Sequence, residues 1–212
     1  MNDSLHIGAG DFDLWLNDIL LSFKSSKAVD VPCGDCRGCC SAGRFIHVIP
    51  SDRAALSVIP KQFLQIAPGM QSGHAVMGYL ENGLCPMLKE GNCGIYLDRP
   101  STCRSFDCRV LAAADLRIEG KWNARINERV EVWKFSFSTP ESEAKFKAIK
   151  RAAHFIKHNA AAFPGGRAPS EPLTVAVLAI KVHSVFLTLD KATPPPEIAN
   201  AIIAESRRFE AS

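Results

Sequence analysis

All eight cysteines of this 212-residue chain fall between Cys33 and Cys108. Cysteines used as small core hydrophobes would be scattered through all the elements of a fold. Their confinement to one stretch marks a segment whose conformation answers to sulfur chemistry. They form two groups, Cys33, Cys36, Cys39 and Cys40 in a CxxCxxCC run, then Cys85, Cys93, Cys103 and Cys108. A two-residue spacer lets a chain reversal bring successive sulfurs around one centre. Gly34 and Gly38 sit in the spacers and are expected to take the positive φ that such tight wrapping requires. Cys39 and Cys40 are adjacent, so their side chains diverge in extended backbone and are expected to serve different centres.

Eight thiolates can close two tetrahedral zinc sites, hold two iron–sulfur clusters, or use four for one metal and leave four as core or supporting thiols. Cys33, Cys36, Cys39 and the remote Cys85-Pro86 echo a ferredoxin arrangement, while paired thiolates from two chain segments equally suit structural zinc. Four thiolates around a divalent ion leave excess negative charge. Arg37, Arg44, Arg99, Arg104 and Arg109 lie within or beside the segment. Arg104 and Arg109, each directly after a cysteine, are the leading candidates to support the ligands. His47 and His74 lack ligand spacing to any cysteine and are expected to be surface or hydrogen-bonded imidazoles.

A disulfide framework requires an oxidising compartment. The N-terminal MNDSLHIGAGDFDLWLNDILLSF lacks a basic leader and a small-residue cleavage site, so a cytoplasmic chain with reduced thiols is expected. The longest apolar stretch, Leu173 to Ile180, is soon followed by Lys181 and His183, so no membrane span is expected. A formal charge of +3 gives no support for a nucleic-acid partner. No G-x-S-x-G elbow, H-E-x-x-H helix or P-loop is present, so classical hydrolase chemistry has no footing.

The chain reads as α+β, an irregular cysteine-rich half with short strands followed by a mainly helical half. Residues 1–29 are expected to hold an amphipathic helix, residues 30–110 the metal-binding domain, and residues 111–212 a helical region packed on it. Phe12, Trp15, Leu16, Ile19, Leu20 and Phe23 recur at helical spacing over 11–24. The preceding Gly8-Ala9-Gly10 is expected to be a flexible leader. Strands are expected near Arg44–Ile49 and Ala75–Leu80, with a short helix from Ser51-Asp52 and a turn at Glu81-Asn82-Gly83. Residues 130–137 alternate as a strand with one aromatic face. Helices are expected from Thr139 to Phe163, from Leu173 to Leu189, and after Pro194-Pro195-Pro196. Within 139–163, Lys147, Lys150, Arg151, His154, Lys157 and His158 form a basic stripe able to hold an acidic partner or a phosphate, although such stripes are commonly just solvated faces.

The stretches CGDCRGCC and GLCPMLKEGNCGIYLDRPSTCRSFDC closely resemble the YkgJ-like cysteine-cluster family with its CxxCxxCC signature. The resemblance spans roughly residues 33–110 and rests on all eight cysteines with Cys85-Pro86, Ile95-Tyr96, Arg99-Pro100 and Cys103-Arg104. It implies chelation of zinc or iron by these cysteines, with an iron–sulfur cluster among the forms the metal can take. Asp107 stands where relatives often carry proline. A related cluster in flagellin lysine N-methylases suggests an iron–sulfur-dependent enzyme as the alternative. Against that, the chain has neither a glycine-rich SAM loop after a strand nor the CxxxCxxC of radical-SAM enzymes. The metal ion is thus the expected partner, with a protein partner possible through the helical half.

Overall fold

A computed structural model describes residues 6–25, 29, 31–43, 45–66, 69–190 and 192–212. The chain begins with β1 (Ile7–Asp11) and α1 (Phe12–Ser25). The cysteine-rich stretch follows, with β2 (Ile46–Val48), α2 (Arg53–Val58), β3 (Leu64–Gln65), β4 (Ala75–Met77), β5 (Leu88–Lys89), β6 (Asn92–Cys93) and α3 (Ser101–Ser105). It continues through α4 (Arg109–Ala114), α5 (Ala124–Val132), β7 (Trp133–Ser136), α6 (Pro140–His158), α7 (Pro172–Lys181), α8 (Val185–Thr188) and α9 (Pro195–Ala211). The fold is mixed α+β, short strands early and helices late. Two compact units share this chain. One comprises Met1–Lys24, Cys108–Ile118 and Val130–Ser212, the other Ser25–Asp107 and Glu119–Arg129.

The first unit is a helical assembly closed by a two-stranded parallel pair. In it Ile7 stands opposite Trp133 and Asp11 opposite Ser136, with a bulge between Gly8 and Gly10. Gly8-Ala9-Gly10 is therefore strand rather than flexible leader, and Gly10 takes the bulge with φ +94°. Helix α1 starts where the Asp11 carboxylate accepts the Leu14 N–H at 3.1 Å. Its inward residue Phe12 is fully buried and meets Phe135 edge-on, with ring centroids 5.4 Å apart. The aromatic face expected of 130–137 is thus present in β7. Residues 130–132 instead finish α5, because Ile126 and Val130 bury together one helical turn apart.

In α6, Thr139 Oγ1 accepts the Ser142 N–H at 3.1 Å and Pro140 occupies the first turn. The helix ends five residues before the expected Phe163. Asn159 leaves helical geometry and its amide donates to the Phe155 carbonyl at 3.1 Å, competing for the last turn. The run expected as one helix from Leu173 to Leu189 is divided into α7 and α8, and the His183 ring bonds the Ile180 carbonyl at 2.8 Å at the break. Helix α9 begins at the proline run as expected. No helix among the described residues is long and apolar enough to cross a membrane.

The second unit has a small antiparallel sheet of order β2-β4-β3, with Ile46 and Leu64 both paired to Met77. Val48, Ala55, Ile59, Met77, Cys85 and Met87 form its buried core. The expected turn after β4 is present, with Gly83 at φ +77° and its N–H bonded to the Leu80 carbonyl at 2.8 Å. Replacing Thr139 with alanine removes the side-chain acceptor for one orphan N–H of α6. It is expected to cost about 1 kcal/mol, read as a lower urea midpoint with an unchanged slope.

Candidate metal centre

The CxxCxxCC loop is wound tightly by its own backbone. Cys36 N–H bonds the Cys33 carbonyl at 3.0 Å around Gly34, whose φ is +51°, and Gly38 N–H points to Cys36 Sγ at 3.4 Å. Gly38 does not need positive φ as expected; it lies at φ −52°. Its requirement is space, since a Cβ there would stand 3.1 Å from the Arg125 carbonyl oxygen. Cys39 and Cys40 then enter a single 3-10 turn, Cys39–Ser41.

Three connections bring the later cysteines to this loop. Cys85 N–H donates to the Cys40 carbonyl at 2.7 Å. The Arg37 guanidinium donates to the Gly91 carbonyl at 2.6 Å and to the Asn92 side chain, fastening the β5–β6 hairpin that carries Cys93. Tyr79 donates its hydroxyl to the Cys39 carbonyl at 2.5 Å. Cys103 rides on α3, which is anchored at both ends of its first turn. Buried Asp52 accepts from Ser101 N at 2.9 Å and Ser101 Oγ at 3.1 Å, and Thr102 Oγ1 donates to the His47 carbonyl at 2.7 Å.

The segment after the last cysteine also returns. Trp122 fills the space above two glycines, where a Cβ on Gly43 would meet it at 2.8 Å and one on Gly83 at 2.2 Å. Arg129 donates to the Cys33 carbonyl at 3.0 Å. Glycine clearance and backbone bonds carry these contacts, and they leave no periodic signal in the sequence.

Sulfur crowding sets the electrostatics. Cys39 is partly in solvent, yet enough protein surrounds its sulfur to push the thiol up to about 12, with Cys40, Cys33 and Cys36 adding repulsion to any thiolate. Burial likewise lifts Cys40 to about 12, and its neighbours are Cys85, Cys93 and Cys103, opposed by the Arg37 charge. Cys103 is also pushed to about 12 by burial, then by Cys85, Cys39 and Cys93, with Arg99 acting the other way. Cys85 is raised mainly by burial. Cys40 thus lies among the late cysteines, while Cys39 lies near the early ones and near Cys103 as well. Burial and these thiols also push Tyr79 far up, so its phenol stays a neutral donor.

The eighth cysteine lies in the helical unit. Cys108 is buried there and accepts the Trp133 indole N–H at 3.2 Å. Arg109, 5% exposed in the same unit, donates to the Ala9 carbonyl at 3.0 Å. Arg104 faces Asp52 at 3.5 Å. Among the other guanidiniums, Arg37 bears on Cys40 and Arg99 on Cys103. Arg99 stacks over the Tyr96 ring at 3.7 Å, and its Nε is buried with no hydrogen-bond partner among the described residues. Arg44 lies outside the described residues. His47 and His74 bond to each other, Nε2 to Nδ1 at 2.7 Å. Asp52 and Tyr79 were not expected at the centre; the only sequence signal for Asp52 was its place before α2.

An all-sulfur donor set of this kind suits zinc and iron, since both accept thiolate and each bound cation favours the deprotonated form that crowding here opposes. Among the described residues no group of three or more His, Cys, Asp or Glu side chains is already set to hold an ion. The thiols are gathered by the backbone without being closed around a point. The donor chemistry and the orphaned Arg99 Nε fit a bound, negatively charged thiolate centre. Residues 32–128 match the family model CxxCxxCC, described as "Putative zinc- or iron-chelating domain". That span includes the returning Lys121–Asn123 turn and most of α5. No curated protein and no solved structure matches the chain significantly.

Two outcomes follow from this arrangement. Thiols raised from 9.0 towards 12 keep protons in the folded chain that the unfolded chain releases first. Their contribution to metal-free stability is whole below pH 9.0 and is lost as pH rises towards 12. Urea denaturation of metal-free protein at pH 7, 9 and 10 should therefore show a falling midpoint. Separately, Asp52→Ala strands the Ile49 and Ser101 N–H groups that it now receives at 3.1 and 2.9 Å. A loss of about 3 kcal/mol is expected, together with faster alkylation of Cys103.

Proposed function

Taking residues 32–128 as a CxxCxxCC domain, we propose that the protein chelates zinc or iron through two thiol groups, Cys33, Cys36 and Cys39 in one and Cys40, Cys85, Cys93 and Cys103 in the other. The observation that supports this partition is the Cys85 N–H bond to the Cys40 carbonyl at 2.7 Å, which sets Cys40 beside the later thiols, while Cys39 lies near Cys33 and Cys36 and also near Cys103. Four thiols meet the requirement of a closed tetrahedral zinc site or of a four-cysteine iron–sulfur cluster, whereas three leave one position for another donor.

When bound, the cation supplies the positive charge that lets the crowded thiols deprotonate. The chain's own part is to hold those sulfurs and offset the remaining charge. Arg37 does so beside Cys40 while fixing the hairpin of Cys93. Arg99 does so beside Cys103, held flat by Tyr96. Gly38 N–H directs a donor at Cys36 sulfur, the kind of contact that tunes a thiolate ligand. Tyr79 and the Cys85 N–H fix the carbonyls between the two groups. The ion would also crosslink loops that have little regular structure.

The test is metal and sulfide analysis with an absorption spectrum on anaerobically purified protein. Cys40→Ser and Cys103→Ser are each expected to remove the same ion, while Cys36→Ser leaves that ion in place. Retention of full metal by both Cys40→Ser and Cys103→Ser would overturn the assignment. Competition against a chelator should show affinity rising with pH, as protons leave the thiols on binding. Absorption near 400 nm with sulfide would assign an iron–sulfur form, and stoichiometric zinc without sulfide the zinc form.

A further inference from the structure

The helical unit contains a cavity of about 540 Å³ that the thiol chemistry does not use. This volume falls in the range of small-molecule sites. One wall is the exposed face of α6, bearing Lys150, Arg151, His154, Lys157 and His158. These are five of the six residues of the basic stripe noted in the sequence. The sixth, Lys147, is paired with Glu143 at 2.7 Å. The rest of the lining combines the apolar Leu116, Phe155, Phe186, Leu189 and Ile198 with Ala114, Asp115, Asn159 and Asp190.

The cationic wall is only partly offset: the Lys150 ammonium lies 4.7 Å from the centroid of the Phe146 ring, and Asp115 and Asp190 also line the cavity. None of Lys150, Arg151 and Lys157 forms an ion pair among the described residues. Asp115 and Asp190 form no ion pair with them among the described residues. Arg151 donates to the Phe186 carbonyl, which fixes its guanidinium against α8. His158 Nδ1 bonds the His154 carbonyl at 2.8 Å, and the two rings lie 4.2 Å apart. Like charges held on one face beside a concave, partly apolar lining repel each other, and an anion seated there relieves that repulsion. Three permanent cations, gathered on α6 and outnumbering the carboxylates of Asp115 and Asp190, favour a dianion over a monocarboxylate, and the apolar lining favours a ligand with a hydrophobic body.

We propose that this cavity binds a small organic phosphate, its phosphoryl group on the Lys150, Arg151 and Lys157 side of α6 and its apolar or aromatic body against Phe186 and Leu189. Lysine ammonium and the arginine fork supply donors suited to phosphate oxygens. The site is independent of the cysteines, so its occupancy and the metal content of the protein are separate measurements.

Isothermal titration of the full metal-loaded chain at fixed ionic strength tests this, with phenyl phosphate, inorganic phosphate and benzoate as probes. Phenyl phosphate is expected to bind at least tenfold tighter than either of the others. Lys157→Glu, at an exposed position, should weaken both phosphates at least tenfold while metal content and melting temperature stay unchanged; Lys150→Glu in addition should abolish binding. Leu189→Gln should narrow the gap between phenyl phosphate and inorganic phosphate. Absence of saturable phenyl phosphate binding, equal affinity for benzoate, or undiminished binding in the Lys150→Glu/Lys157→Glu chain would overturn the proposal.

Discussion

The cysteine unit depends on one short backbone hydrogen bond, from Cys85 N–H to the Cys40 carbonyl at 2.7 Å. It joins the end of the first cysteine loop to the start of the second, across chain that otherwise contributes only short strands and one short helix. A buried amide bond of this kind is costly to leave unmade. Once it forms, the other ties have their partners close at hand. Arg37 reaches the hairpin at Gly91, Tyr79 reaches Cys39, and Cys85 enters the same buried core as Val48 and Met77. Sulfur gathering in this protein thus rests on backbone carbonyls and the donors that reach them, one a backbone amide and two the side chains of Arg37 and Tyr79.

Gathering thiols in this way sets an electrostatic conflict. Burial and neighbouring thiols oppose ionisation of Cys39, Cys40, Cys85 and Cys103, so the folded chain holds protons there where free cysteine would begin to lose them. Arg37 and Arg99 temper the conflict from opposite sides, one beside Cys40 and one beside Cys103. Arg104, adjacent to Cys103 in sequence, pairs with Asp52, and Arg109, adjacent to Cys108, donates to the Ala9 carbonyl.

Much of the fold was legible. The apolar spacing of α1, the Thr139 cap and Pro140 opening of α6, and the proline start of α9 each express a local rule in a few residues. What local rules miss is long-range pairing. Gly8-Ala9-Gly10 has little strand propensity, and only its parallel partner Trp133–Ser136 makes it β. The two-group spacing of the cysteines was visible, whereas the 3-10 turn that Cys39 and Cys40 share in place of extended backbone was not. The placement of Cys108 in the helical unit was not either, because spacing reports how far a residue lies along the chain and not which core it enters. The returning Trp122, Arg125 and Arg129 were equally silent, since their contacts are to glycines and carbonyls.

The discontinuity of the helical unit has a consequence for biosynthesis. Its first strand, β1, must wait for β7, which is synthesised after every residue of the cysteine unit. The N-terminal strand therefore has no mate while all seven cysteines of that unit are added to the chain, and the parallel pair that joins the two ends of the helical unit is among the last features able to form.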